Sequence, residues 1–528
     1  MSALGLILIV AALGCAVSRF TGMPLVPLYL IGGWLLGASG IHGTEEIATE
    51  ALQLGVAVLV FLAGAELNPQ RLRSGTRRIL ILTLLPMAAT AGAVFLWARF
   101  HEVATPAAID IACALAGSST IVALRQLRRL SQTLEPFGRL VTAIQIVQDF
   151  LLIGVLVVLH AFPGGWNAVP SIIGGTLLLL GAAQILQSTI IPWVVATLRP
   201  GEETLLMLML AMLFSLVGAS SFFGLPLVVG AFAAGISISR FPTSGLLRVQ
   251  IAALGDFFTA LFFVVLGYFA DIPDISQWPL AVGLIAIIVI GRPLITAILA
   301  RRCGLTARPA IECGLLTGQA GEIGLVIALA ALGAGHIEAE TFGLVALVTA
   351  ISMMPTPFLA TERVTSWILH TLPIRRRTKA HLRTRGHVIM LGFGAAGRWV
   401  LKELSDAGHT VVVVDDDPAI ISQLEEMNVR CVLGCGSEKH VLDAAGAHHA
   451  KAILCSMRRV TDAESVLRLV HGIPILARVF EASDAERVRT LGGIPVMNSL
   501  ASAQRFINWL DSGTDSSHKE NPAPTTVT

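Results

Sequence analysis

The stretch AIQIVQDFLLIGVLVVL, residues 143–159, sets the architecture of this chain. It is apolar almost throughout, yet Gln148 and Asp149 lie side by side near its centre. About 20 apolar residues span the hydrocarbon core of a bilayer. A carboxylate at that depth costs roughly 3 kcal/mol, and such residues usually mark ion or proton pathways. The stretch therefore predicts a membrane helix that carries a functional acid.

The composition divides the chain into a membrane part and a water-soluble part. Of the 528 residues, 54% are hydrophobic and 14% are charged, whereas soluble domains average about 25% charged residues. Residues 1–370 contain no lysine. We therefore expect four regions: a membrane domain (1–370), a basic linker (371–385), a water-soluble domain (386–505) and a disordered tail (506–528). Nothing in the charge pattern indicates a nucleic-acid partner.

Thirteen apolar segments of membrane-spanning character follow one another in the first region. The N-terminal stretch lacks the positive region of a secretory signal, so we interpret it as the first membrane helix. The segments lie near 3–20, 24–39, 51–67, 79–98, 106–124, 140–161, 169–190, 203–220, 224–239, 249–270, 277–299, 309–333 and 340–360.

Arginines occur in every second loop between these segments. Loops after odd-numbered segments carry arginines, and loops after even-numbered segments are acidic or neutral, with Arg99 the lone exception. Because cytoplasmic loops carry the excess of Lys and Arg, the N-terminus is predicted to lie outside and the C-terminal domain in the cytoplasm.

Polar residues cluster in three of the segments besides the Gln148–Asp149 doublet. We select them as candidate ion-binding or transport residues: Ser118, Ser119 and Thr120 in the fifth segment; Arg292 in the eleventh; Gln319 and Glu322 in the twelfth.

The fifth and twelfth segments both have small, polar, helix-weakening centres. Non-helical backbone at membrane depth is tolerated only where it lines a cavity or is buried in protein, and transporters use broken helices of this kind to bind ions near the midplane. We therefore predict two crossed discontinuous helices, related by inverted repeats, beside Asp149. A cation and a proton would compete for that one carboxylate.

Structural roles are the alternative for each of these residues. The hydroxyls could bond to their own helix, and the glycines around Gln319 could serve close helix packing. Arg292 could pair with Glu322 as a purely structural ion pair, or with Asp149 in the absence of a cation. The sequence does not decide between the two carboxylates.

The soluble region carries a dinucleotide-binding fingerprint. The strand-like HVIML precedes Gly392-x-Gly394-x-x-Gly397, a helix follows, and Asp415 ends a second strand about twenty residues later. In such a unit the glycines admit a pyrophosphate at the helix N-terminus, and the acid binds ribose hydroxyls. We add two further candidates: Phe393 and Asp417. The alternative for this region is a structural Rossmann fold that binds no nucleotide. The cysteines Cys431, Cys435 and Cys455 are expected to be buried in strands, and oxidant sensing is their alternative role.

Five membrane motifs, in order, resemble the cation:proton antiporter-2 family: FLAGAELNPQRL, AGSSTIVALRQL, VQDFLLIG, ALFFVVLGYFADI and LLTGQAGEIGLVIA. The stretch from HVIMLGFGAAG through PILARVF resembles the TrkA-N domain, the N-lobe of RCK domains. Together they resemble Kef-type potassium-efflux antiporters over about residues 5–500.

The resemblance implies a dimeric, thirteen-helix antiporter of the bacterial inner membrane whose core bundle moves like an elevator. The ion-binding Gln-Asp pair of the family falls on Gln148 and Asp149, and the basic residue of the eleventh helix falls on Arg292. One carboxylate instead of two implies electroneutral exchange of one cation for one proton. The soluble domain is implied to bind NAD(H) or AMP as a regulator. Arg478, in ILARVF, matches the arginine of the family's ARA segment, which implies contact with an anionic regulator.

The chain departs from the Kef pattern in three places. The connector before the nucleotide domain is short, Gly434-Cys435 replaces a Gly-Asp pair, and ISISRFP lacks an acidic residue. For these reasons glutathione gating and an ancillary regulatory subunit are not carried over. The resemblance makes K⁺ the expected ion. Na⁺ is the alternative, because a carboxylate and a few carbonyls do not set the size of the bound ion. A nucleotide-gated channel and a proton-coupled oxidoreductase are further hypotheses. The chain has no TVGYG-like filter and no catalytic domain to support them.

Overall fold

The computed structural model divides the chain into two compact units. One comprises residues 1–303 and 309–371, and the other comprises residues 304–308 and 372–528. The parts of the chain that the structure describes are residues 3–39, 45–66, 76–130, 136–161, 169–198, 201–239, 245–271, 274–305, 307–371, 385–393, 397–416, 418–457, 460–479 and 481–497. The predicted tail and most of the predicted linker lie outside them.

The first unit is helical throughout its described length. In chain order its helices are α1 (Ala3–Thr21), α2 (Leu25–Ala38), α3 (Glu45–Glu66), α4 (Thr76–Phe100), α5 (Thr105–Ala116), α6 (Thr120–Arg129), α7 (Pro136–Ala161), α8 (Val169–Ile185), α9 (Ile191–Leu198), α10 (Glu202–Phe222), α11 (Leu227–Ile238), α12 (Gly245–Tyr268), α13 (Trp278–Ala286), α14 (Arg292–Arg302), α15 (Ala307–Leu316), α16 (Glu322–Gly333), α17 (Ala339–Met353), α18 (Thr356–Leu359) and α19 (Glu362–Thr371). Two π-helical turns, Leu186–Ile190 and Ile287–Gly291, connect α8 to α9 and α13 to α14.

An apolar helix occupies each of the thirteen segments selected from the sequence. Seven stretches of the described chain are long and apolar enough to cross a membrane: Thr76–Phe100, Thr105–Arg129, Phe137–Leu159, Pro170–Thr197, Glu203–Phe222, Ile275–Arg302 and Ala339–Leu359. Six shorter apolar helices occupy the other segments: Gly5–Thr21, Leu25–Ala38, Glu50–Ala65, Leu227–Ile238, Ala253–Tyr268 and Glu322–Gly333. The number of membrane crossings stays a prediction.

Two of the segments contain the expected interruptions. Residues 117–119 separate α5 from α6, and residues 317–321 separate α15 from α16. Gly117 is extended (φ −86°, ψ 163°), and the Ser119 side chain accepts a hydrogen bond from the Val122 N–H, which caps α6. Gly321 is extended in the same way before α16. At the first break a glycine thus ends one helix and a capping serine starts the next, whereas at the second break the glycine itself is the N-cap residue.

Close backbone contact explains the glycines of α2 and α12. A Cβ on Gly33 would lie 1.9 Å from the Val264 carbonyl oxygen, and one on Gly37 would lie 2.6 Å from the Tyr268 carbonyl oxygen. From the other side, a Cβ on Gly267 would lie 2.2 Å from the Leu30 carbonyl oxygen. Small residues at this spacing let membrane helices approach closely, so α2 and α12 pack backbone to backbone.

The second unit is a three-layer α/β domain. Its strands are β1 (Val388–Leu391), β2 (Val411–Asp415), β3 (Arg430–Leu433), β4 (Ala452–Cys455), β5 (Ile475–Val479) and β6 (Ile494–Met497). All pair in parallel, in the order β3-β2-β1-β4-β5-β6. The helices are α20 (Gly397–Asp406), α21 (Pro418–Glu426), α22 (Lys439–Ala444), α23 (Val460–Leu469) and α24 (Ala482–Thr490).

The strand order is that of a Rossmann fold, in which ligands bind outside the carboxyl ends of the strands where the order reverses. Alternate residues of β1 face two separate cores: Ile389 packs with α22, α23 and α24, whereas Met390 packs with α20 and α21. Helices therefore cover both faces, as a fully buried parallel sheet requires. The six strand-like runs of the sequence correspond to the six strands.

Replacing Gly33 by Ala is expected to lower the apparent unfolding temperature of the detergent-solubilised protein, because the added methyl group meets the Val264 carbonyl. Overpacking of this kind costs roughly 1–3 kcal/mol. Gly92→Ala is the matched control, since a Cβ there has no neighbour within 4 Å and Ala favours the helix. Equal unfolding temperatures for the two variants would contradict the packing described for α2 and α12.

Candidate functional site

The break between α5 and α6 is held by two glutamines of α7. The Ser118 Oγ lies 2.6 Å from Gln145 Oε1 and 2.7 Å from Gln148 Oε1, and the Ser118 N–H donates to Gln148 Oε1 at 3.2 Å. Gln145 Nε2 donates to the Ser119 carbonyl oxygen at 2.9 Å. Because a hydroxyl carries one proton, Ser118 donates to one amide oxygen at a time. These bonds satisfy backbone groups that a continuous helix would have paired internally.

Asp149 lies directly beside this break. The Thr120 hydroxyl donates to Asp149 Oδ2 at 2.7 Å, and the Asp149 side chain is buried. Thr120 is the first residue of α6, so the carboxylate is next to the N-terminal end of a half-helix, which favours negative charge. The structure therefore joins Ser118, Thr120, Gln148 and Asp149 in one buried cluster.

The break between α15 and α16 is supported in a similar way from α17 and α18. Gln319 Oε1 accepts the Thr356 hydroxyl at 2.7 Å, and the Ser352 hydroxyl accepts the Ala320 N–H at 3.0 Å. Gln319 Nε2 donates to the Leu316 carbonyl oxygen at 2.9 Å and reaches the Ser119 carbonyl oxygen of the first break at 3.3 Å. The two breaks therefore lie against each other.

Arg292 binds backbone carbonyl groups at both breaks. Nη1 donates to the carbonyl oxygens of Gly117 at 2.8 Å and of Gln319 at 2.9 Å, and Nη2 donates to that of Leu115. Nε donates to the Thr90 hydroxyl of α4 at 3.2 Å. The side chain is 1% exposed. Carbonyl groups at a helix C-terminus carry partial negative charge, so the guanidinium neutralises the end of α5 and the freed carbonyl of the second break.

This arrangement decides the partner that the sequence left open. Among the residues that the structure describes, Arg292 forms no ion pair with Asp149 or with Glu322. The π-helical turn Ile287–Gly291 directly precedes Arg292. Such turns shift the facing of the residues that follow and recur at functional sites. Pairing of Arg292 with a carboxylate is therefore wrong for this conformation, and the residue acts on the breaks themselves.

Glu322 lies at the N-terminal ends of the half-helices α6 and α16, which carry partial positive charge. It is the first residue of α16, and its Oε1 accepts the N–H of Ile121, in the first turn of α6, at 3.4 Å. Glu322 is 7% exposed, and its Oε2 makes no hydrogen bond. An acidic group near helix N-termini is stabilising. The cation Arg292 and the acid Glu322 thus complement the two kinds of helix end that meet at the breaks.

Four buried polar residues of this cluster were not selected from the sequence: Thr90, Gln145, Ser352 and Thr356. Gln145 precedes Gln148 and Asp149 by three and four residues, which places all three on one face of a helix. That spacing is a local signal and would have found it. Thr90 and Thr356 have no such signal, because their partners are distant in the chain.

A further buried carboxylate, Asp110 of α5, was also not selected. Its Oδ2 lies 2.9 Å from His336 Nδ1, in the loop after α16. The side chain of Asp110 is 3% exposed and that of His336 is 32% exposed. The pair links the far ends of the two broken segments.

The first glycine of the nucleotide fingerprint requires its special conformation. Gly392 follows β1 with φ +87°, and a Cβ there would lie 3.4 Å from the Met457 nitrogen. The next N–H, of Phe393, donates to Asp415 Oδ2 at 2.6 Å. Gly397 begins α20. Asp415 therefore holds the turn between β1 and α20, in addition to the ribose role predicted for it.

The other nucleotide candidates divide by position. Arg478 is half-buried near the carboxyl end of β5, the second strand from β1 on the β4 side. It therefore lies along the edge where ligands of this fold bind. Gly394 and Asp417 lie outside the described residues.

The cysteines of this unit have suppressed thiolate character. Burial raises the pKa of Cys435 to about 11, with the Asp462 carboxylate adding to the effect, and burial raises that of Cys455 to about 12. Burial also raises the pKa of Cys431. Because the thiolate is the reactive form, these positions favour packing over oxidant sensing.

The comparison with family models defines the class of protein. The family Sodium/hydrogen exchanger, transmembrane matches residues 5–361, and TrkA-N domain matches residues 388–499. The first match covers more than half of the chain, so the chain belongs to the sodium/hydrogen exchanger family. The second identifies the α/β unit as a TrkA-N domain.

Two similar proteins with known names are potassium-efflux proteins. The chain is 28% identical over 465 residues to K(+) efflux antiporter 1, chloroplastic, of Arabidopsis thaliana, with 81% of this chain and 38% of the relative covered. It is 25% identical over 499 residues to the glutathione-regulated potassium-efflux system protein KefC of Salmonella schwarzengrund, with 91% and 80% covered. The chain thus spans about two fifths of the length of the plant relative.

Among solved structures, the sodium proton antiporter MjNhaP1 from Methanocaldococcus jannaschii shares the membrane fold. It superposes with a TM-score of 0.53 at 16% identity, over 69% of this chain and 95% of that chain.

Replacing Arg292 by Met is expected to destabilise the membrane unit strongly, because three buried carbonyl groups lose their donors at roughly 1–3 kcal/mol each. Thr90→Val removes the acceptor of Arg292 Nε and the bond from the Thr90 hydroxyl to the Pro86 carbonyl oxygen, but leaves the three carbonyl contacts of Arg292, so it is expected to have a smaller effect. The measurement is the apparent unfolding temperature in detergent of the wild type and both variants. The assignment would be refuted by an Arg292→Met protein as stable as the wild type, or by a larger effect of Thr90→Val.

Proposed function

We propose that this protein is a secondary active cation:proton antiporter that exchanges K⁺ for H⁺ electroneutrally. The observation that carries the proposal is the buried Asp149, hydrogen-bonded by Thr120 at the break of a membrane helix. The chain belongs to the sodium/hydrogen exchanger family, which supports cation:proton exchange. Relatives named as potassium-efflux proteins support K⁺ as the exchanged cation. Na⁺ is the second candidate, supported by the sodium antiporter that shares the fold.

The mechanism rests on one carboxylate with two competing ligands. A buried carboxylate is costly unless it is paired or protonated, so Asp149 holds either a proton or a dehydrated cation. Thr120 and Gln148 supply neutral oxygens beside it, as a hard monovalent cation requires. Because Gln148 carries no charge, each turnover moves one cation against one proton and no net charge.

Arg292 and Glu322 have a supporting role in this mechanism. Their contacts bind the two breaks to each other, which would keep the ion site intact while the bundle that carries it moves between the two faces. The close approach of the breaks supports the prediction that the two discontinuous segments cross. The apolar helices at all thirteen segments support thirteen membrane crossings.

The charge pattern of the loops supports an N-terminus outside and a TrkA-N domain in the cytoplasm of a bacterial inner membrane. The family resemblance supports a homodimer. The departures from the Kef pattern, among them Gly434-Cys435, argue against glutathione gating and against an ancillary subunit.

The TrkA-N domain is proposed to bind NAD(H) or AMP as a regulator. The residues fit a nucleotide: Gly392 makes a left-handed turn at the carboxyl end of β1, Gly397 begins the following helix, and Arg478 adds a cation along the same edge. A nucleotide supplies phosphate charge and ribose hydroxyls to these groups. Within the described chain no substrate-binding catalytic domain accompanies the nucleotide site. For this reason we propose that the nucleotide regulates exchange and is not turned over as a redox cofactor.

Asp149→Asn is expected to abolish exchange, because the amide neither takes up a proton nor neutralises a cation. Purified protein in vesicles is assayed for pH change on addition of K⁺, then of Na⁺. Asp271→Asn, at an exposed position after α12, is the matched control and should exchange like the wild type. Undiminished K⁺-driven or Na⁺-driven exchange by Asp149→Asn would refute the mechanism.

Asp415→Ala is expected to weaken nucleotide binding by tenfold or more, since it removes both the predicted ribose acceptor and the acceptor that holds the Phe393 N–H. Binding of NADH, NAD⁺ and AMP to the full-length protein in detergent is measured by calorimetry. Asp406→Ala, an exposed position on α20, is the control. A nucleotide that binds Asp415→Ala and wild type equally would contradict the site.

A further inference from the structure

A cavity of about 120 Å³ lies between the turn that joins α1 to α2 and the outer surface of α6. Its walls are mainly apolar and include Met23, Leu25, Ile121 and Val122. Arg125 and Arg129, one helical turn apart on α6, contribute the positive charge of the lining. The cavity is therefore amphipathic, with an apolar wall and a cationic side.

The two arginines are available to a ligand. Both are exposed, and within the described part of the chain neither forms an ion pair or a hydrogen bond through its side chain. The uncharged polar groups of the lining are already engaged: the Ser18 hydroxyl donates to the Met23 carbonyl oxygen at 2.7 Å, and Gln126 Nε2 donates to the Ala360 carbonyl oxygen at 2.8 Å. An occupant would therefore find charge only at Arg125 and Arg129.

The location specifies the occupant further. The cavity lies where α1 ends, α2 begins and α6 ends, at the face that the arginine pattern assigns to the cytoplasm. The cytoplasmic leaflet carries anionic lipids, and basic residues near it gain roughly 1 kcal/mol each from them. A free phosphate would gain only from two exposed arginines, which is little. A phospholipid would also bury apolar surface against Met23, Leu25 and Val122.

We propose that this cavity is a binding site for an anionic phospholipid, whose phosphate lies on Arg125 and Arg129 and whose glycerol and first acyl carbons contact the apolar wall. Ile121, in that wall, donates its N–H to Glu322, and the preceding Thr120 holds Asp149. The lipid thus contacts the half-helix that carries the ion site, and lipid-dependent exchange rests on the proposed function.

The test compares wild type, the double variant Arg125→Gln/Arg129→Gln, and the control Arg128→Gln. Arg128 is exposed on the same helix but does not line the cavity, so the control makes the same chemical change elsewhere. Each protein is titrated in detergent with phosphatidylglycerol, phosphatidylcholine or inorganic phosphate, and bound lipid is counted by native mass spectrometry.

The expected result is that wild type and Arg128→Gln bind phosphatidylglycerol in preference to phosphatidylcholine, while the double variant binds it roughly tenfold to thirtyfold more weakly. Equal binding by all three proteins would overturn the proposal. So would displacement of the lipid by millimolar inorganic phosphate, which would indicate a free-anion site.

Exchange in vesicles with and without phosphatidylglycerol is the second readout. A rate that depends on this lipid in the wild type, and not in the double variant, would support the coupling to α6. If no vesicle showed exchange, the proposed transport function would fail, whereas the lipid count would still decide the binding site.

Discussion

Backbone carbonyl groups without helical partners are the constraint on which the membrane unit depends. Two interrupted helices leave such groups near the middle of an apolar structure, where each unpaired group is costly. Arg292 binds three of these carbonyls and so belongs to both breaks at once. Gln145 of α7 and Gln319 of the second break each donate to a further carbonyl, and Ser352 of α17 accepts the Ala320 N–H. The breaks persist because side chains replace the bonds that the helices lack.

The same contacts surround Asp149, the residue proposed to exchange the ion and the proton. With Arg292 engaged by carbonyls and Glu322 by the N-terminal end of α6, the fixed charges at the breaks are matched to the half-helix dipoles. Asp149 accepts a hydrogen bond from the neutral Thr120 hydroxyl beside the first break. In the proposed mechanism its carboxylate binds the proton and the cation in turn. In the TrkA-N unit, Asp415 has a comparable double role, since it holds the turn that a nucleotide would occupy.

Much of the fold could be predicted because its signals are local. Length and apolarity located the thirteen helical segments, glycine and serine located both breaks, and strand-helix alternation with the glycine fingerprint predicted the Rossmann sheet. In the site, the Gln148–Asp149 doublet was evident from its burial cost alone, and Gln145 lay within reach of the same helical spacing. These features depend on residues a few positions apart.

The sequence by itself determined that one membrane chain contains the carboxylate of Asp149, two interrupted helices and a Rossmann-type domain. Only the tertiary structure decided which groups Arg292 binds, because Gly117 and Leu115 are more than 170 residues away in the chain. It likewise decided that Glu322 faces the first turn of α6 and that Thr90 and Thr356 support the cluster. Helix periodicity reports which residues share a face. Packing of one helix on another decides what that face meets.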